Sequence, residues 1–273
     1  MSNRSEYLLG MEPAEVARLE RQHAVWRAET HKVWELAGFA AGQTIVDLGS
    51  GPGFAALELA HLVGISGRVI AVDASSTATD QLRKIAEERA IENIEIVTAD
   101  IAEFDPSPWN PDGLFARWLF SFVERPEAAI AHLTSGLRAG ATVAVMDYWN
   151  YLAMRTEPGS LLFAKVFRAV YDSFADAGGS LDIAGRLPAM FDRAGLTVTH
   201  VEALCQTGQP GSSVWEWVAE FQRLYLPVLV RKGYLTQSES EVYEAWWRTQ
   251  EENRAAVLFG PPLLGVIAVK NSV

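Results

Sequence analysis

Hydrophobic and polar positions alternate in two different rhythms along this chain. Residues 12–37 repeat at three- and four-residue steps (Val16, Leu19, His23, Trp26, Thr30), which predicts a helix. "AAGQ" breaks that rhythm before a short apolar run, Thr44 to Leu48, that reads as a strand. A helix is predicted from about Phe54 to Val63, then a strand in "GRVIAVDAS", a helix from about Thr77 to Ala90, and a strand in "IEIVTAD". "GLFARWLF" is a fourth strand, Pro126 to Arg138 a helix, and "GATVAVMDY" a fifth strand. Strands alternating with helices predict a parallel sheet covered on both faces, with ligands held at the carboxyl ends of the strands. The glycine turn after strand one and the acids Asp73, Asp100 and Asp147 all fall at such ends.

Beyond Trp149 the pattern changes. Ser160 to Ala177 reads as an aromatic-rich helix, followed by a helix around Pro188 to Ala194 and a strand in "LTVTHVEAL". A second helical stretch runs from about Ser212 to Asn253, and "LLGVIAVK" closes the chain as a strand. The expected organisation is one domain over residues 1–273. It has an N-terminal helical region (1–40) and two helical cap insertions (150–180 and 212–253) on the same core.

"IVDLGSGPGF" carries the chemistry. Glycines 49, 51 and 53 permit a tight turn and close approach of a ligand, and the helix that follows offers free N–H groups. The spacing G-x-G-x-G brings the third glycine one residue too early for a dinucleotide fingerprint, and the G-x-x-x-x-G-K-[ST] phosphate loop is absent. "VDLGSGPGF" resembles the cofactor motif of class I S-adenosylmethionine-dependent methyltransferases. The similarity covers residues 30–148 well, and is strongest to the small-molecule branch related to ubiquinone and menaquinone biosynthesis. The segments "YLLGMEPAEVARLERQH" and "LFGPPLLGVIAVK" resemble bacterial members of that branch.

The resemblance implies a doubly wound, Rossmann-like sheet of seven strands with the last antiparallel. It implies S-adenosyl-L-methionine as cofactor, with Asp47, Gly49, Ser50, Gly51 and Gly53 at the glycine turn. Asp73, with Ala74 beside it, matches the acid that binds the ribose hydroxyls, and Asp100 with Ile101 match the pair flanking the adenine. Two ribose hydroxyls are donors, so a carboxylate at a strand end suits them. Arg117 is open between holding the cofactor's carboxyl end, structuring the region near it, and pairing with a buried acid.

Composition narrows the partners. The 273 residues are 49% hydrophobic and 21% charged, with a formal net charge of −11 and no basic stripe for a phosphate backbone, so nucleic acid is not expected. One cysteine, Cys205, forms no internal disulfide, and five scattered histidines give no metal spacing. No apolar window is long enough for a membrane span, and the first residues lack an apolar signal core, so a cytoplasmic address is expected.

Aromatic residues concentrate in the two insertions: Trp149, Tyr151, Phe163, Phe167, Tyr171 and Phe174 in the first, and Trp215, Trp217, Phe221, Tyr225, Trp246 and Trp247 in the second. They suit an enclosure for an apolar or aromatic small molecule, or packing of the cap onto the core. Tyr7, Gln22 and His23 of the first helix are candidates for closing the site. For a base, Asp147 and Tyr148 have the best expected position and His23 the best titration range. The leading reading is methyl transfer to O, N or C of a small molecule. The alternatives are a protein that retains the cofactor without transfer, and a non-methylating enzyme (rearrangement or cyclisation) on the same fold.

Overall fold

The computed structural model describes residues 13–272. Tyr7 and residue 12 lie outside them. The elements run α1 (Pro13–Leu36), β1 (Thr44–Leu48), α2 (Phe54–Val63), β2 (Arg68–Asp73), α3 (Ser76–Glu88), β3 (Ile94–Thr98), β4 (Gly113–Arg117), α4 (Pro126–Ser135) and β5 (Thr142–Tyr148). There follow β6 (Arg155–Glu157), α5 (Leu161–Asp176), α6 (Leu187–Arg193), β7 (Leu196–Leu204), β8 (Thr207–Gly208), α7 (Ser213–Arg231), α8 (Gln237–Glu251), β9 (Val257–Phe259) and β10 (Leu263–Lys270).

Seven strands form one sheet in the order β3-β2-β1-β4-β5-β10-β7. β1 pairs in parallel with both β2 and β4, so the strand order reverses at β1, where doubly wound sheets hold ligands. β10 lies antiparallel between β5 and β7, as expected for the last strand.

The pleat sorts strand residues onto two faces. Ile45, Ala71, Phe115 and Met146 pack under α1, α2 and α3, while Val46, Ile70, Leu114 and Val145 pack under α4 and α6. The first cluster continues from the sheet into α5, α7 and α8 through Phe167, Trp215, Tyr225 and Trp247. The cap is therefore continuous with the core.

The cap helices start where local chemistry supplies a cap. Ser160 accepts from Phe163 N at 3.2 Å, and Ser212 from Trp215 N at 3.3 Å. Thr236 and Glu239 form a reciprocal capping box. A second, three-stranded sheet (β6-β9-β8) joins the ends of the cap insertions. Its strands of two or three residues are too short to leave a periodic signal in the sequence.

α1 buries His23, Trp26 and Thr30 of its expected face but departs from it in the first half. Val16 and Leu19 are only half-buried, whereas Glu15, Arg18 and Gln22 are buried. The helix turns a polar stripe inward because its first half faces a cavity lined by polar atoms as well as rings.

Candidate active site

A cavity of about 280 Å³ opens at the carboxyl ends of β1, β2, β4 and β5, under α1 and the cap. One end is polar: Asp47, Gly49, Ser50, Gly51, Asp73 and Arg117 line it. The other is largely aromatic, with Trp118, Tyr148, Phe167, Trp217, Phe221 and Tyr225 among its walls.

The polar end is built by the glycine turn. Gly49, Gly51 and Gly53 all have left-handed backbone (φ 64°, 55° and 87°). Two of them do different work. A Cβ at Gly51 would meet nothing within 4 Å and project into open space, whereas one at Gly53 would sit 2.1 Å from Leu82 Cδ1. Gly51 leaves room for a ligand, and Gly53 lets α2 and α3 pack. Asp73 accepts from Gly51 N and from Ser75 N, each at 2.8 Å. Two lone-pair directions of its carboxylate stay available. Capping of α3 falls to Ser75, whose hydroxyl accepts from Ala78 N.

Asp47 is 2% exposed, and its Oδ2 has no hydrogen-bond partner among the described residues. Burial pushes its carboxyl up to about 7; the Arg117 guanidinium opposes that shift and Asp73 adds to it. The buried Ser50 hydroxyl also lacks a partner among the described residues. Orphaned polar atoms at a cavity wall mark a place where a ligand completes the hydrogen bonding. Two carboxylates there disfavour a phosphate and suit hydroxyl or ammonium donors.

Arg117 points toward α1. It donates to Thr30 Oγ1 at 2.8 Å and to His23 Nδ1 at 3.0 Å, and its guanidinium lies 4.7 Å from the Trp118 ring centre. No carboxylate lies within ion-pair distance of it among the described residues. Burial lowers it to about 10, despite the attraction of Asp47 and Glu58.

The three base candidates separate. His23 accepts from Arg117 and stacks on Phe54. Its Nε2 is 3.2 Å from Glu58 Oε1 but not aligned as a hydrogen bond. Burial, and then Arg117, depress its pKa to about 4, and it faces a surface groove between α1 and α2 rather than the cavity. Asp147 is fully buried on the opposite face of the sheet, because its side chain alternates with that of Tyr148. It accepts from Ser121 N at 3.1 Å and Tyr148 N at 2.8 Å, so it anchors the loop after β4. Tyr148 does line the cavity, and burial holds its phenol well above the ordinary range.

Other expected residues lie apart from the cavity. Asp100 is exposed and accepts from Ala102 N at 2.9 Å, Ala74 is exposed, and Ile101 is buried in the cluster under α4. Of the cap aromatics, Tyr151, Phe167, Phe174, Trp217, Phe221 and Tyr225 line the cavity. Trp215 and Trp247 instead stack with ring centres 4.5 Å apart inside the cap, and Phe163 packs beside them. Trp149 is 42% exposed.

Sequence reasoning missed Arg18 and Trp118 as cavity residues. Arg18 gives no signal beyond its position one turn before Gln22. Trp118 follows Arg117 at the end of β4 and holds a left-handed backbone (φ 53°), which is costly for a bulky side chain and concentrates at functional sites.

Residues 45–140 match the family described as "Methyltransferase domain". A ubiquinone/menaquinone biosynthesis C-methyltransferase, UbiE, of Azotobacter vinelandii is 27% identical over 176 residues, covering 60% of this chain and 65% of its own length. The chain thus spans somewhat under two thirds of that curated relative. An Aquifex aeolicus SAM-dependent methyltransferase structure superposes with TM-score 0.54 at 19% identity, over 70% of this chain and 92% of its own. The [4+2]-cyclase SpnF superposes with TM-score 0.58 at 14% identity, over 90% and 82%. These structural likenesses speak to fold alone. Residues 45–140 thus match a methyltransferase domain, and the seven-stranded sheet with its glycine turn has the fold of class I S-adenosylmethionine-dependent methyltransferases.

Proposed function

We propose that the protein transfers a methyl group from S-adenosyl-L-methionine to O, N or C of a small, largely apolar or aromatic molecule. The observation that carries this reading is the single cavity joining the two halves: Gly51 and Asp73 at one end, Tyr148, Phe167 and Phe221 at the other. When bound, the cofactor supplies a methyl group on an electrophilic sulfonium.

The chain's own residues then bind, orient and exclude water. Asp73 accepts from the ribose hydroxyls with the lone pairs that Gly51 and Ser75 leave free. Asp47 Oδ2 and Ser50 Oγ gain the polar partners they lack among the described residues. Arg117 attracts the carboxylate end, held in place by Thr30 and His23. Gly49, Gly53 and Ala74 shape the backbone around the ligand, and Asp100 with Ile101 border the adenine outside the cavity proper. The aromatic walls keep water from the reacting centre and align the acceptor, which is where most of the catalytic effect arises. Tyr148 stays protonated at neutral pH and serves as a hydrogen-bond donor rather than a base.

The cap insertions and core act as one domain, in keeping with their shared hydrophobic cluster. A cytoplasmic address belongs to the same reading: among the described residues no helix is long and apolar enough to cross a membrane. Nucleic acid is not a partner in this account. Calorimetric titration with S-adenosylhomocysteine and, separately, with NADH and ADP tests the cofactor half. Binding of the first alone is expected, and preference for either phosphate-bearing ligand would overturn the reading.

A further inference from the structure

Within the aromatic half of the cavity one amide is locked. Gln22, on α1, is 6% exposed and lines the cavity. Its Oε1 accepts from Arg18 Nη1 at 2.7 Å and from Trp217 Nε1 at 3.1 Å. A guanidinium and an indole N–H are donors only, so the oxygen of the Gln22 amide must face both of them. The orientation of the amide follows from chemistry rather than from atom labels. Its Nε2 hydrogens are left with no hydrogen-bond partner among the described residues, yet the nitrogen is not among the sealed, orphaned atoms.

The lock is itself anchored. Arg18, one turn earlier on α1, holds Glu15 through two bonds, Nε to Oε2 at 2.8 Å and Nη2 to Oε1 at 2.7 Å. Glu15, Arg18 and Trp217 are all at least 95% buried. Because Glu15 balances the Arg18 charge, this end of the cavity offers donors without a net positive charge. The phenol of Tyr148, at the end of β5, lines the same cavity.

We propose that Gln22 is a specificity-determining residue of the acceptor half, and that its amide N–H group donates to a neutral, carbonyl-type oxygen on an otherwise apolar ring. This rests on the cofactor-and-acceptor reading of the cavity given above. A ligand lacking that oxygen covers the Gln22 N–H group without pairing it, which costs more than the bond is worth when made. A carboxylate or phosphate is disfavoured, since among the described residues the cation beside Gln22, Arg18, is already paired with Glu15. The hydrophobic walls supply affinity and the amide supplies discrimination, the division of labour common to apolar ligand sites.

The test uses two probes of one shape, 1-tetralone and its deoxygenated analogue tetralin, titrated into the full chain with and without S-adenosylhomocysteine. The ketone is expected to bind about tenfold more tightly than the hydrocarbon, the equivalent of one buried hydrogen bond. The infrared carbonyl stretch of bound 1-tetralone is expected to move to lower frequency. Gln22→Glu keeps an oxygen for Arg18 and Trp217 but removes both N–H donors. In that variant the preference should fall to about twofold or less and the carbonyl band should move back. Trp217→Phe, which frees one side of the lock, should give an intermediate loss and serves if Gln22→Glu does not fold. Equal affinity for the two probes in the unaltered protein, or a carbonyl band indifferent to Gln22→Glu, overturns the proposal. Failure of the unaltered protein to bind S-adenosylhomocysteine would instead sink the methyl-transfer reading, and the probe comparison without it would still report on Gln22.

Discussion

The Asp73 carboxylate accepts the Gly51 N–H at 2.8 Å, which fixes the end of β2 against the glycine turn after β1. One side chain thus shapes the turn and faces the cavity that the turn borders. Asp73→Asn is expected to weaken S-adenosylhomocysteine binding by about ten- to a hundredfold, since bonds to a charged group are worth about 1.5–3 kcal/mol each. Calorimetry reads the loss, and an unchanged affinity removes Asp73 from the site.

Gly51 and Gly53 should fail differently. Gly51→Ala adds a methyl group to open cavity space and strains a left-handed residue, so cofactor affinity should fall further than stability. Gly53→Ala drives a Cβ against Leu82, so the melting temperature should drop first. Thermal melts with and without S-adenosylhomocysteine separate the two; identical behaviour would contradict the roles assigned here.

The Asp47 carboxyl is pushed up to about 7 by burial. Between its ordinary value near 4 and about 7, the folded ligand-free protein therefore binds more protons than the unfolded chain. Its contribution to stability is present at low pH and is lost as pH rises through 7. Asp47→Asn should raise the melting temperature of the ligand-free protein at pH 8, with little gain near pH 4. A gain of equal size at both pH values would show that Asp47 does not titrate in this way.

His23 has the opposite sign. Its pKa is depressed to about 4, so the stability it contributes is present above its ordinary value near 6.5 and is lost as pH falls toward 4. His23→Gln should flatten the stability curve between pH 6.5 and 4 in a series of melts. An unaltered slope would mean that the ring is already charged in the fold.

The cap aromatics divide into walls and core. Trp215 is fully buried and stacked on Trp247, so Trp215→Ala should cost about 3–5 kcal/mol of stability, as large core truncations do. Phe221 is half-buried at the cavity, and Phe221→Ala should change probe affinity with a much smaller stability loss. Denaturant melts paired with 1-tetralone titrations check both, and the reverse ordering would refute the division.

The sheet was legible because its signals are local. Thr44–Leu48, the glycine turn and the acid at Asp73 are read from neighbours in the chain, and the resemblance supplied the antiparallel last strand. What was not legible depends on which face a residue takes. Asp147 and Tyr148 are adjacent in sequence, yet the pleat sends only Tyr148 to the cavity. The aromatic helices looked uniform, and only their packing tells Phe167, a cavity wall, from Trp215, a core residue. α1 misled for a related reason. The predicted row holds for His23, Trp26 and Thr30, but in the first half Arg18 and Gln22 turn inward as well, Gln22 accepting from Arg18 and from Trp217.

Nuclear magnetic resonance with S-adenosylmethionine carrying a carbon-13 methyl group tests the central claim most directly. The protein is incubated with a panel of phenols, hydroxynaphthalenes and aromatic ketones. The expected result is loss of the sulfonium methyl signal, an equal gain of S-adenosylhomocysteine, and a new methyl signal on C, O or N of one acceptor. An acceptor that is converted while the labelled methyl stays on sulfur would contradict methyl transfer and leave this chain a non-methylating member of its fold.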